Sequence, residues 1–176
     1  KLSLNLAIKQ MEDEGFIDFI DELLKDKAYL YKKLEFEITE SQIMANPETA
    51  VKILKQMGKL GISIAVDDFG TGYSSLSYLK KLPIDKLKID KSFVDELPHG
   101  DADVAIIKTI ISLQQNLNLE VIAEGVESQE QIDFLKEHKC ENIQGYFYSH
   151  PLSAEQMSSH LAQSKMLGEY LSQDKR

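Results

Sequence analysis

Asp67 and Asp68 stand side by side where an apolar, β-branched run, Ile62-Ser63-Ile64-Ala65-Val66, stops. Adjacent carboxylates at the buried end of a strand repel each other and lose hydration, and a cation is the usual remedy. An acid pair also caps helices and fills turns, so its meaning depends on what stands at the other strand ends. Those ends carry Asn5, Glu37, Lys88 with Asp90, Glu124 and Gln144. Oxygen ligands of this kind suit Mg²⁺ or Mn²⁺, with Ca²⁺ as an unproductive substitute. Zinc suits them less, since His99, His138, His150 and His160 fall in expected loops or helices and read as surface or packing residues. Several acids holding a metal beside a lysine is the arrangement for phosphoryl transfer to water, in which two ions about 4 Å apart activate water and stabilise phosphate charge. A solvated acidic rim is the competing reading.

The elements that must position these residues alternate. Strand-like pieces fall near 2–6, 34–39, 62–67, 85–89, 120–124 and 142–146, with helical periodicity between them. In 34–39, Leu34, Phe36 and Ile38 share one face and Glu35, Glu37 and Thr39 the other. The spacing predicts a helical stretch over 9–27, interrupted or bent near Gly15, and a helix over 47–60 opened by Pro47 and closed by Gly61. A third runs over 74–81 after Gly70-Thr71-Gly72, and a long one to Asn116 is capped by Asp101 or Asp103. Ser128 with Gln131 three residues on reads as a capping box. Ser153 opens a last helix over 154–165, with 167–171 packing on a neighbour or fraying. This β-then-α order implies parallel pairing, with ligand-binding residues on one rim. Doubly wound and barrel arrangements both accommodate six such units. A complete eight-unit barrel takes about 250 residues.

Composition narrows the function classes. The chain has 176 residues, 43% hydrophobic and 28% charged, as expected of one sizeable core. A formal charge of −9 argues against direct DNA or RNA binding and against anionic membrane surfaces. The only arginine is Arg176, so phosphate must be met by lysine or metal instead of a guanidinium fork. The single cysteine, Cys140, excludes an internal disulfide and reads as a small core residue. No stretch of these residues reads as a signal peptide, and no apolar run reaches membrane-spanning length. Lys88 between Leu87 and Ile89 in a core strand needs an acidic partner or a ligand.

At these residues the sequence resembles the EAL-domain family, bacterial phosphodiesterases that hydrolyse cyclic di-GMP. The resemblance rests on EITES at 37–41, DDFGTGYSSLSYLKKLPID at 67–85, KIDKSFV at 88–94, AEGVES at 123–128 and QGYFYSHPL at 144–152, in family order. It covers residues 2 to 160 and implies an α/β fold, an incomplete (β/α)8 TIM-type barrel with about six of the eight strands. By resemblance, Asn5, Glu37, Asp67 and Glu124 ligate a first ion, and Asp67 with Asp68 connects to a second. Lys88 holds or polarises the attacking water, Glu127 supports the metal shell, and Gln144 sits by substrate or water. Glu40 ties down a loop containing Gly70 and Gly72. The implied reaction is hydrolysis of one phosphodiester bond to linear pGpG with Mg²⁺ or Mn²⁺, two ions in the intact domain, Ca²⁺ being inhibitory. The resemblance further implies a homodimer, an upstream sensor or diguanylate-cyclase-like domain, and a cytoplasmic location, including in membrane-anchored parents.

The sequence departs from the family in one respect. The name-giving Glu-Ala-Leu motif, its metal-ligating glutamate and the arginine that follows it are missing, as are the first two barrel strands. Residues 1–176 therefore read as the C-terminal portion of an EAL phosphodiesterase domain, expected to be weak or inactive alone. The alternative is a non-catalytic cyclic di-GMP-binding or regulatory module. A TIM-barrel enzyme for small phosphorylated or enolised substrates is a more distant one.

Overall fold

The computed structural model describes residues 1–72 and 76–173. Among these residues six strands lie in chain order in one all-parallel, curled sheet: β1 (Leu2–Asn5), β2 (Leu34–Thr39), β3 (Ser63–Phe69), β4 (Lys86–Ile89), β5 (Glu120–Ala123) and β6 (Asn142–Ile143). The helices are α1 (Ile8–Met11), α2 (Phe16–Leu24), α3 (Glu40–Ala45), α4 (Pro47–Leu60), α5 (Leu76–Leu79), α6 (Lys91–Asp95), α7 (Asp101–Leu117), α8 (Gln129–Glu137) and α9 (Ala154–Gln173), with a 3-10 segment at Lys25–Lys33. This is the expected α/β half-barrel. No helix among the described residues is long and apolar enough to cross a membrane.

Strand alternation builds the molecule's two sides. Phe36, Ile38, Ile64, Val66, Leu87, Ile89, Val121 and Ala123 are buried in the layer between sheet and helices. α4 contributes Ile53, Leu54 and Met57 to that layer and α7 contributes Ile107, Ile110 and Ile111. The opposite, concave face is polar, because the same strands place Glu35, Glu37, Asp67, Lys86 and Lys88 there. Cys140 is buried in the core, as expected.

Several local readings are corrected. β3 does not stop at its acids but runs through both to Phe69, with a register shift against β4 between Val66 and Phe69. Such a bulge re-aims a side chain at a barrel rim. β6 is only two residues long, since the backbone after Ile143 turns to bond the loop behind β5. The stretch 9–27 is interrupted near Gly15, as expected, into α1 and α2, but its end passes into the 3-10 segment. Gly100 is the N-cap of α7; Asp101 and Asp103 lie in its first turn, where they complement the helix dipole. α9 extends to Gln173, beyond the expected end at 165. Of the 74–81 helix, Leu76–Leu79 is helical and Ser74 and Ser75 lie outside the described residues. α3 was not anticipated, although Thr39 and Gln42 form the same capping box as Ser128 and Gln131.

At the entry of the strands the concave face holds an ion pair. Glu35, 3% exposed, takes both carboxylate oxygens to within 2.9 Å of Lys86 Nζ, and Ser3 Oγ donates to it at 3.0 Å. Burial works to raise the Glu35 pKa, but the hydrogen bond and charge of Lys86 outweigh it and hold the carboxyl below its usual 4.5. Stability from this pair is therefore complete above about pH 4.5 and is lost as pH falls through the lowered native value. Substitution E35Q, which leaves Lys86 with Glu120 at 3.7 Å as its ion-pair partner among the described residues, is expected to cost about 3 kcal/mol at neutral pH. Urea unfolding at pH 7 and pH 3.5 checks both points: the cost should shrink at the lower pH.

Candidate active site

Lys88 lies on β4, 5% exposed, with its side chain on the concave face two residues above Lys86. Its ammonium meets Glu37 Oε2 at 2.8 Å, Glu124 Oε1 at 2.9 Å and Asp67 Oδ1 at 3.0 Å. Each acid comes from a separate strand or strand end: Glu37 from β2, Asp67 from β3, Glu124 one residue past β5. Burial disfavours the Lys88 charge, yet hydrogen bonds to Glu37, Glu124 and Asp67 outweigh it and hold the lysine well above its usual pKa. Lys88 is thus a fixed cation at neutral pH.

One cation among three carboxylates leaves negative charge in excess. Burial, reinforced by the charge of Asp67, pushes Glu124 up to about 7 against the opposing pull of a lysine it shares with two other acids. Asp68 is raised too, by burial first and then by the charges of Asp67 and Asp90. Among the described residues no group of His, Cys, Asp and Glu stands together as a ready-made ion cage. The point on which the acids converge holds the Lys88 ammonium.

Asp68 sits in the bulge of β3 with φ +51°, and its N–H donates to Asp67 Oδ1 at 3.1 Å. A non-glycine residue in the left-handed region is uncommon and marks a backbone held by its surroundings. Part of that hold is Glu40, fully buried at the start of α3, whose Oε2 accepts the N–H of Gly70 at 2.9 Å and of Gly72 at 3.4 Å. A Cβ on Gly72 would lie 2.9 Å from Glu40 Oε1, so a larger residue there would have to displace the Glu40 carboxylate. Glu40 thus bonds the backbone of the following loop at both Gly70 and Gly72. Tyr73 lies outside the described residues.

On the other side of Glu124 a cavity of about 440 Å³ opens, lined by Lys91, Glu124, Glu127, Gln144, Tyr146 and His150 among others. Glu127 does not join the carboxylate cluster. It pairs with Lys91 at 2.6 Å, and the Lys91 ammonium lies 6.0 Å from the centre of the Tyr146 ring. Tyr146 and His150 have ring centroids 4.3 Å apart. The reading of all four histidines as remote from the rim is thereby corrected for His150, which the turn after β6 folds back to the cavity. Asn5 stands at the end of β1, in register with Glu37. Lys91, Tyr146 and His150 were missed as cavity residues, though all three lie inside motifs already singled out.

Comparison with known proteins agrees with this geometry. The family model described as EAL domain matches residues 1–151. Cyclic di-GMP phosphodiesterase NbdA of Pseudomonas aeruginosa is 40% identical over 152 residues, 86% of this chain and 19% of NbdA. Bifunctional diguanylate cyclase/cyclic di-GMP phosphodiesterase MucR of the same organism is 40% identical over 161 residues, 92% of this chain and 24% of MucR. The chain thus spans about a fifth to a quarter of these relatives. Among solved structures, the PaMucR phosphodiesterase in complex with c-di-GMP is 41% identical with a TM-score of 0.83, over 88% of this chain and 63% of that one. The EAL domain of Mycobacterium smegmatis DcpA is 37% identical with a TM-score of 0.86, over 92% and 72%. With its sheet order, its strand-end acids and these matches in agreement, the chain belongs to the EAL-domain family.

Proposed function

We propose that residues 1–176 are the C-terminal portion of an EAL domain that hydrolyses cyclic di-GMP to linear pGpG. The observation that carries this reading is the convergence of Glu37, Asp67 and Glu124 on one cation position at the rim, beside a cavity of nucleotide-accommodating size. The names of NbdA and MucR and the c-di-GMP complex of PaMucR support the substrate. The acid surplus around Lys88, evident in the raised Glu124 and Asp68, fits a bound divalent cation. Hard oxygen donors favour Mg²⁺ or Mn²⁺. Glu37, Asp67 and Glu124 would hold the first ion with Asn5, and Asp68 would face a second. Such an ion supplies acidified water and stabilisation of charge growing on phosphate.

The chain's own residues do the rest. Lys88, permanently protonated, donates hydrogen bonds and cannot serve as a general base. It keeps the three carboxylates gathered before any ion binds and offers positive charge to the phosphate. The Glu40-anchored loop fixes Asp67 and Asp68. Gln144 and Tyr146 wall the cavity where the nucleotide would lie. In the same proposal the whole protein is a homodimer carrying a sensor or cyclase-like domain upstream, and residues 1–176 alone turn over slowly.

Incubating the full-length protein with cyclic di-GMP and Mg²⁺ or Mn²⁺ should give linear pGpG by chromatography. Substitution E37Q should lower the rate by about 100-fold or more. Tight binding with no product would replace hydrolysis by the binding-module reading. Substitution K88M leaves three carboxylates without their counter-ion. In EDTA it should destabilise by about 3–5 kcal/mol, and Mn²⁺ should restore part of the loss in urea unfolding. Unchanged stability in EDTA would show that Lys88 does not compensate the acids.

A further inference from the structure

Four polar or charged residues are buried among the described ones: Glu35, Glu40, Lys88 and Gln131. The first three are accounted for above. Gln131, 7% exposed at the third position of α8, has no part in the site as described so far. Its Oε1 accepts the N–H of Glu127 at 2.8 Å and of Ser128 at 3.0 Å. Ser128 Oγ accepts the Gln131 N–H in return at 3.2 Å, completing the capping box. A capping box asks only for that side-chain oxygen, and glutamate serves there as well as glutamine. The nitrogen does something the helix start does not require. Nε2 donates to the carbonyl of Val94 at 3.0 Å in a fully buried hydrogen bond, across 37 residues of chain.

Val94 belongs to α6, which follows directly on the strand that carries Lys88. Glu127 belongs to the loop that follows Glu124. One amide thus joins the loops behind two neighbouring strands, holding the Glu127 backbone with its oxygen and α6 with its nitrogen. Across the same junction Lys91 of α6 meets Glu127. The Lys91 stem crosses the Gly125 backbone so closely that a Cβ there would lie 2.3 Å from Cγ. The Lys91–Glu127 pair is itself about half exposed, and an exposed pair of long side chains does not fix its own geometry. A buried, fully satisfied hydrogen bond does, because nothing replaces it when it breaks.

We propose that Gln131 is a positioning residue for the site: its amide clamps α6 to the 124–128 loop and so sets the Lys91–Glu127 wall of the cavity. This rests on the phosphodiesterase reading for its catalytic consequence but not for its structural one. Substitution Q131E separates clamp from cap, because it keeps the capping oxygen while setting a carboxylate against the Val94 carbonyl. In amide hydrogen exchange on the full-length protein, Q131E should speed exchange in 91–95 and 124–128 together by roughly fivefold or more, with β2 to β4 unchanged. With cyclic di-GMP, Q131E should lower kcat roughly tenfold. Added to E127Q, it should cost no more than about a further twofold, since it acts through Glu127. Unchanged exchange in the two segments, or losses that multiply in the double variant, would overturn the proposal. Should Q131E not fold, Q131M, which loses cap and clamp together, is set against S128A, which loses only the Ser128 hydroxyl of the cap. Q131M alone should speed exchange in 91–95, and equal exchange there in both variants would overturn the proposal. A wild-type protein without turnover would sink the phosphodiesterase reading and leave the exchange measurement to decide this one.

Discussion

A lysine ammonium held by three carboxylates from three separate strands is the constraint on which this structure turns. A lone buried lysine would lose its proton or unfold its surroundings, and three acids at these distances would not all stay ionised. Together they form a cluster that is costly to desolvate and costly to break. The sheet must therefore bring β2, β3, β4 and the end of β5 into one register. The all-parallel order does this by placing every strand's exit on the same rim. The Glu35–Lys86 pair two residues below shows the same alternation of charge across β2 and β4. The concave face is thus two polar layers, with the more acidic one at the exit rim.

The loops brace that cluster on both flanks. The bulge in β3 lets two consecutive acids both serve the rim, and Glu40 holds the following loop through backbone N–H groups. On the other flank, α6 and the 124–128 loop are joined by Gln131 inside and by Lys91–Glu127 outside. Both flanks are built from backbone groups paired to buried side chains, so the acids are placed before any ligand arrives. Under the proposed function such pre-placed charge would serve phosphoryl transfer, since reorganising it during the reaction would raise the barrier.

Much of this was legible in the sequence. The alternation of Leu34, Phe36 and Ile38 against Glu35 and Glu37 gives β2 both its faces. Pro47 and Gly61 bound α4, and Ser128 with Gln131 starts α8. Lys88 between two buried aliphatic residues announces an acidic partner. The failures have physical causes. β3 was ended too early because acids read as strand terminators, whereas a bulge accommodates them. His150 was placed away from the rim because only the turn after β6 folds it back, and local patterning carries no such information. Lys86 with Glu35 and Lys91 with Glu127 are contacts between residues 51 and 36 positions apart, which spacing along the chain does not reveal. Gln131 was read as a cap and nothing more, because its second bond depends on where α6 lies.

On the proposed reading, the cation position defined by Glu37, Asp67 and Glu124 takes a divalent ion as well as the lysine beside it. Anomalous diffraction from crystals of the full-length protein grown with Mn²⁺ tests this most directly. A Mn²⁺ peak is expected within roughly 2.5 Å of carboxylate oxygens of all three residues, with Lys88 retained next to it. A peak elsewhere, with the three carboxylates still closed on Lys88 alone at saturating Mn²⁺, would contradict it.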